Sequence, residues 1–158
     1  MSNYTKELTI RSVQADLARV EKFIDEICEI YHITNRYYGN IFLAVEEATK
    51  NAIIHGNKLN PEQSVKICFE RRPNGLLFRV EDEGNGFNVD AIPNPLESDN
   101  ETGNGIFLIR SLADKVKFNP VGNRIEILFS ISSINQETTL HRIGHMNAYF
   151  LKHKTVAK

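Results

Sequence analysis

The sequence has few of the features that mark disulfide-linked or membrane-embedded proteins. Its 158 residues include two cysteines, Cys28 and Cys68, which lack the close spacing of a metal or redox motif. Both fall in apolar segments, so we expect reduced core residues. No apolar run reaches the roughly 18 residues of a membrane span, and the N-terminus shows no leader pattern. The sequence therefore predicts a cytoplasmic protein with no membrane partner.

The chain also has no excess of positive or negative charge. Nineteen basic and twenty acidic residues leave a formal net charge of −1. A near-neutral chain has no electrostatic footprint for nucleic acid, so direct nucleic-acid binding is not expected. Hydrophobic residues make up 41% of the chain and charged residues 25%, which is typical of a globular domain. We expect one domain over residues 1–132 and a polar tail, 133–158, of unknown role with a weak helical pattern.

Hydrophobic periodicity predicts the element order β-α-α-β-β-loop-α-β-β. Ser12 is positioned to cap the first helix, and Pro73-Asn74-Gly75 is typical of a hairpin turn. Antiparallel pairs with helices between them indicate an α+β fold, a two-layer sandwich with a mixed, mostly antiparallel sheet and helices on one face. The predicted elements are a strand over 7–11, helices over 12–31 and 34–55, strands over 65–69 and 77–80, a helix over 105–114, and strands over 116–118 and 124–131.

The second helix carries a polar edge that could support chemistry. Glu47, Asn51 and His55 follow one another at spacings of four, so they stack beside the apolar stripe of the helix. A carboxylate there can act as a general base, and an amide oxygen can ligate a hard cation such as Mg²⁺. The alternative is an ordinary solvated Glu-Asn pair, with a histidine that is stabilised by the helix dipole.

Two glycine clusters frame an irregular, acid-rich segment that resembles a lid. The first, Asp82-Glu83-Gly84-Asn85-Gly86-Phe87, follows a strand, and its glycines can bring backbone amides close to a ligand. The second, Thr102-Gly103-Asn104-Gly105, opens the third helix, where free amides and the helix dipole favour a phosphate. The alternatives are a plain turn for the first cluster and a glycine-rich cap of a core helix for the second.

Taken in order, the helix box and the two glycine boxes resemble the ATPase superfamily that gyrase, heat-shock chaperone, histidine kinase and MutL share. The motif on the second helix most resembles that of the bacterial anti-sigma-factor serine kinases of the sporulation and stress-response switches. It reads Glu47-Ala48-x-x-Asn51-Ala52-Ile53-x-His55-Gly56. The similarity covers residues 5 to 131. It implies a histidine-kinase-type ATPase fold, with ATP and Mg²⁺ as cofactors.

The resemblance also implies roles for individual residues. Asn51 would coordinate the Mg²⁺ that bridges the phosphates, and Glu47 would accept the proton of a protein serine or of water. Asp82 would receive the adenine amino group, while Gly84 and Gly86 would let the backbone pack close to the base. The further nucleotide-binding residues would be His55, Thr102, Gly103, Asn104, Gly105 and Ile106, those from 103 to 106 donating amides to the phosphates beneath a lid over about 88–102.

Two departures from the family pattern bear on catalysis. No Lys or Arg occurs from Glu83 to Ile109, and Glu101 occupies the place of the lid arginine found in the sporulation-type kinases. The phosphate charge must then be offset by Mg²⁺, by amide dipoles or by a residue from elsewhere. The Gly-Thr-Thr turn before the last strand is replaced by Gly122-Asn123-Arg124, which removes a hydroxyl that could hold the adenine through water.

Three functions follow from the resemblance. The first is a serine/threonine kinase of a partner switch, a homodimer that binds a sigma factor and phosphorylates a serine of an anti-anti-sigma protein. The second is a nucleotide-dependent anti-sigma binding module with little or no kinase activity. The third, a histidine kinase catalytic domain, is disfavoured because we expect no dimerisation helix with a phosphoacceptor histidine ahead of Asn3.

Overall fold

A computed structural model of the chain describes residues 4–88, residue 90, residues 101–130 and residue 148. The described elements are five strands, three α-helices, one 3₁₀ turn and one π turn. In chain order they are β1 (Thr5–Arg11), a 3₁₀ turn (Gln14–Asp16), α1 (Leu17–Ile30), α2 (Asn35–Asn51), a π turn (Ala52–Gly56), β2 (Ser64–Arg72), β3 (Gly75–Glu81), α3 (Glu101–Leu112), β4 (Lys115–Phe118) and β5 (Arg124–Ser130).

The strands form one sheet in the order β1-β2-β3-β5-β4, and all four pairings are antiparallel. In the central pair, Glu81 at the end of β3 faces Arg124 at the start of β5. The turn after β3 and the turn before β5 therefore meet at one end of the sheet. This end is where the glycine box at residues 82–87 lies.

The two faces of the sheet differ in polarity, as the alternation along each strand requires. On one face Phe69, Phe78 and Phe129 are fully buried and join α1, α2 and α3 in a single hydrophobic core. On the other face Arg79 pairs with Glu70 and Glu126 across neighbouring strands. The predicted α+β sandwich with helices on one face is confirmed, and the described sheet contains antiparallel pairs alone.

Some of the predicted boundaries need correction. The first helix was expected from Ser12, but α1 begins at Leu17, and the hydroxyl of Ser12 donates to the carbonyl of Gln63. The third helix was expected from Gly105, but α3 begins at Glu101. Its glycine box therefore lies inside the first turns of the helix. The hairpin of β2 and β3 pairs as predicted, with Phe69 opposite Phe78.

The cysteines were expected to be reduced core residues, and the core position is correct for Cys28 alone. Both thiols are free, and Cys28 is buried in the core, where burial raises the pKa of its thiol to about 11. Cys68 lies on the opposite face of the sheet, where its thiol contacts Glu7. Because the residues next to Cys68 in β2 are apolar, the sequence did not show the alternation of faces that directs this side chain away from the core.

Two predicted regions fall largely outside the described residues. These are the lid over about 88–102 and the tail over 133–158, of which the structure describes residues 88, 90, 101, 102 and 148. Within the described part of the chain, no helix combines the length and the apolar character that crossing a membrane requires.

Candidate functional site

A cavity of about 380 Å³ lies where the end of α2 meets α3 and the ends of β3 and β5. Apolar side chains supply most of its wall, and polar groups of Asn51, Asp82 and Asn123 reach it at separate points. A mostly apolar cavity with a few fixed polar groups is the usual form of a small-molecule site. The apolar lining residues are Ala48, Ala52, Val80, Phe87, Ile106, Ile109, Phe118 and Ile125.

The end of α2 is widened by the π turn. The amide of Asn57 donates to the carbonyl of Ala52, five residues back, at 2.8 Å. The π turn ends at Gly56, and a β-carbon added at Gly56 would lie 2.3 Å from Oδ2 of Asp82. One added at Gly84 would lie 2.2 Å from the carbonyl oxygen of Gly56. Glycine is therefore required at both positions, because any side chain would separate α2 from the first glycine box.

Asp82 is the polar group that is held most firmly at the cavity. Its Oδ1 accepts the amide of Gly84 at 2.7 Å, its own amide donates to the carbonyl of Asn123 at 3.0 Å, and its carbonyl accepts Nδ2 of Asn123 at 3.2 Å. Burial raises the pKa of the Asp82 carboxyl above its ordinary value of 3.8, although the Gly84 amide opposes this shift. The cavity wall thus offers an oriented acceptor for an N–H group.

The rim beside Asp82 is formed by two turns that pack backbone against backbone. Gly86 and Gly122 both have positive φ, 76° and 86°, which glycine adopts without strain. A β-carbon at Gly86 would lie 1.9 Å from the carbonyl oxygen of Val121. Phe87 then packs edge-on against Phe118, with ring centroids 5.6 Å apart. Both rings line the cavity at its sheet end.

At the other end of the cavity, α3 packs on the polar edge of α2. A β-carbon at Gly105 would lie 3.1 Å from Nδ2 of Asn51 and 3.1 Å from Oε2 of Glu47. Nζ of Lys50 lies 3.7 Å from Oε1 of Glu47 and 3.9 Å from Oε1 of Glu46. A partly buried carboxylate and an amide therefore stand side by side, next to a cation, where the second glycine box meets α2.

The structure brings most of the predicted site residues together. Asn51, His55, Asp82, Gly86 and Ile106 line the cavity. The amide of Gly84 donates to the Asp82 carboxylate, and Gly105 packs against both Glu47 and Asn51. Their roles toward a nucleotide stay predictions.

The second glycine box is placed differently from the prediction. Because α3 begins at Glu101, the described amides without a partner inside the helix are those of residues 101–103, which include Thr102 and Gly103. In this conformation the amides of Gly105 and Ile106 lie within the helix. Asn104 is buried, and its Oδ1 has no hydrogen-bond partner. Amide donation to a phosphate from residues 105 and 106 thus requires the first turn of α3 to open.

The sequence prediction missed part of the cavity. Asn123 and Arg124 line the cavity. Their turn was noted from the sequence only because it lacks a threonine hydroxyl. The fourth strand contributes Phe118, which was expected only as a strand residue. The Gly122-Asn123 pair was the available signal, but the antiparallel pairing of β3 with β5 was needed to place it beside Asp82.

The sheet, the three helices on one face and the cavity at the end of the Glu-Asn helix together define an ATPase domain of the histidine kinase type. A sequence model of the family, described as the histidine kinase-like ATPase domain, matches residues 10–129. The chain belongs to this family, as the resemblance of the helix box and the glycine boxes predicted.

Curated relatives narrow the comparison. The chain is 36% identical over 84 residues to the serine-protein kinase RsbW of Staphylococcus epidermidis, and the same figures hold for the protein of two strains of that species. The match covers 47% of this chain and 53% of the relative. The chain thus spans about half the length of the curated relatives it matches. The predicted resemblance to serine kinases of this kind is confirmed.

The glycine contacts lead to a stability prediction. We expect Gly56→Ala to destabilise the fold by about 1–3 kcal/mol, because the new β-carbon overlaps the Asp82 carboxylate. Gly39→Ala is the matched control, since a β-carbon at Gly39 meets nothing within 4 Å and alanine favours the helix interior by about 0.5–1 kcal/mol. Urea unfolding measures both variants. Equal stability of the two would contradict the close packing at Gly56.

Proposed function

We propose that the chain is an ATP- and Mg²⁺-dependent serine protein kinase of a partner switch, phosphorylating a serine of an anti-anti-sigma protein. One observation carries the proposal: Asp82, a fixed carboxylate acceptor, and Asn51 line one cavity, and Glu47 lies beside Asn51 where α3 meets α2 at Gly105. The kinship with the serine-protein kinase RsbW supports it. We further infer a cytoplasmic homodimer that also binds a sigma factor.

The base of the nucleotide would bind at the sheet end of the cavity. Asp82 Oδ2 accepts the amino group of adenine, and the ring lies against apolar side chains such as Val80 and Ile106. Asn123 holds the backbone of Asp82 in place through both of its hydrogen bonds. His55 lies at the exposed edge of the cavity, next to the place for the ribose.

The phosphates would bind where α3 crosses α2. Mg²⁺ prefers few protein ligands together with phosphate and water oxygens, so Oδ1 of Asn51 suits it as a single amide ligand. When bound, the ion neutralises phosphate charge. Within the described residues no group of three His, Cys, Asp or Glu side chains could hold a metal ion.

Glu47 would act as the general base. As the serine oxygen attacks the γ-phosphorus of ATP, its proton passes to Glu47, and the bond to the β-phosphate oxygen breaks so that ADP leaves. Lys50, 3.7 Å from Oε1 of Glu47, restrains this carboxylate at the edge of the helix. Phosphoryl transfer depends on positioning, and the half-buried setting of Glu47 supplies it.

A nucleotide-dependent anti-sigma binding module with little or no kinase activity is the second candidate. The observation in its favour is the lack of Lys and Arg from Glu83 to Ile109. Arg124 lines the cavity, but its guanidinium lies 3.7 Å from Glu81, at the base end. Tight partner binding without phosphate transfer by the wild-type protein would favour this candidate.

Titration of ATP tests the nucleotide site directly. We expect wild-type protein to bind ATP more tightly with Mg²⁺ than without it. Asn51→Ala should remove most of this difference, because the variant lacks the amide oxygen that ligates the ion. Isothermal calorimetry measures both. A wild-type protein that binds no ATP, or a Mg²⁺ effect that survives in Asn51→Ala, would refute the site.

A pair of neighbouring carboxylates tests catalysis. Glu47→Ala should lower the transfer of labelled phosphate from ATP to an anti-anti-sigma protein by about 10²–10⁴-fold, the usual contribution of a general base. ATP affinity should stay within a few-fold. Glu46→Ala is the matched control, since Glu46 also pairs with Lys50 but, unlike Glu47, takes no part in the contact at Gly105. Equal losses in the two variants would show that Glu47 has no special role.

The environment of Asp82 predicts a dependence of ATP binding on pH. Burial raises the pKa of this carboxyl, so it takes up a proton at a higher pH than a solvated carboxyl does. The protonated form is a poorer acceptor for the adenine amino group, so ATP affinity should fall as the pH is lowered toward that pKa. The Asp82→Asn variant shares the titration of the ATP phosphates but lacks this step. Parallel pH profiles for the two proteins would contradict the role of Asp82.

A further inference from the structure

Asn57 is a buried side chain at a junction of four segments. It directly follows the π turn and is 2% exposed. Its Nδ2 donates to Oγ of Ser12 at 2.8 Å and to the carbonyl of Ser64 at 3.0 Å, and its Oδ1 accepts the amide of Glu83 at 2.9 Å. Both hydrogens of the amide and its oxygen are therefore used. The side chain ties the end of α2 to β2, to the segment after β1 and to the first glycine box.

The partner in one of these bonds is the chain neighbour of a cavity residue, and the other partners are not. Glu83 follows Asp82 in the chain, so the bond from its amide to Asn57 fixes the peptide on the C-terminal side of the Asp82 side chain. The Glu83 carboxylate in turn accepts the amide of Ser64 at 2.6 Å. Asn57, Ser64 and Glu83 thus form a closed ring of hydrogen bonds. This ring holds the turn at residues 82–84 against the end of α2.

The backbone of Asp82 is consequently held on both sides. Asn123 bonds to its amide and its carbonyl, and Asn57 bonds to the next amide along the chain. Gly56 packs tightly against Asp82 and Gly84 of this turn, which leaves the carboxylate little room to move. If the bond to Asn57 is lost, the turn at residues 82–84 is free to shift on the side that faces α2.

We propose that Asn57 is a positioning residue that fixes the Asp82 carboxylate and so sets the preference of the site for adenine over guanine. The inference rests on the proposed nucleotide function. Adenine presents an amino donor where guanine presents a carbonyl acceptor. A carboxylate held toward that point accepts from adenine and repels guanine. A carboxylate that is free to turn away loses the hydrogen bond from the adenine amino group, and its repulsion of the guanine carbonyl becomes weaker.

The test compares the dissociation constants of Mg-ATP and Mg-GTP by competition calorimetry. In Asn57→Ala we expect ATP to bind about tenfold more weakly, a factor that corresponds to one broken hydrogen bond of about 1.4 kcal/mol. GTP affinity should stay within about twofold, so the ratio of the two constants shrinks.

Ser12→Ala is the matched control. Ser12 is fully buried and shares the Asn57 network, but it touches no part of the cavity. This variant should lower the free energy of unfolding and leave the ATP-to-GTP ratio unchanged. A folded Asn57→Ala protein whose two affinities fall equally, or a Ser12→Ala protein whose ratio shrinks as much, would overturn the proposal.

A second variant covers the case in which Asn57→Ala does not fold. Glu83→Ala removes an exposed carboxylate and opens the ring at Ser64, and we expect the ratio to shrink in the same direction by about threefold. An unchanged ratio in Glu83→Ala would then overturn the proposal. A wild-type protein that binds neither nucleotide contradicts the proposed function itself, whereas ATP preference that persists in the variants contradicts only the role of Asn57.

Discussion

The close approach of Gly56 to the Asp82 carboxylate is the contact on which the cavity depends. It joins the end of the longest described helix to the end of the central strand β3, with no side chain between them. The π turn makes the approach possible, because the wider turn brings Gly56 to the strand end while Asn51 and Ala52 stay on the cavity side of the helix. The position of Asp82 and of the first glycine box relative to α2 follows from this contact.

The two ends of the cavity are built by different means. At the base end, backbone contacts at Gly84, Gly86 and Gly122 and the side chains of Asn57 and Asn123 fix the geometry. At the phosphate end, α3 rests on α2 through Gly105. In the proposed kinase, recognition of the base therefore draws on a preformed surface, while the phosphates meet a helix whose first turn must open before the amides of Gly105 and Ile106 can donate.

Much of the fold could be predicted from the sequence, because hydrophobic periodicity reports directly on burial. The stripe along α2 and the β2–β3 hairpin were located to within a few residues, and the order of the helix box and the glycine boxes indicated the family. The contributions of Asn57 and Asn123 could not be predicted, since they depend on which distant segments meet. The start of α3 was misplaced because the glycines of its box suggested the N-terminus of a helix, although Gly105 packs on α2 from inside the helix.

The π turn also constrains the length of the chain. Its hydrogen bond spans five residues, one more than the hydrogen bond of an α-helix. Each helical residue turns the chain by about 100°. Deleting one residue there would rotate Gly56 and Asn57 away from the strand end, even if the remaining residues of the segment were unchanged. We expect relatives that share this site to keep the residue count of the segment and its glycine, whatever their other residues there.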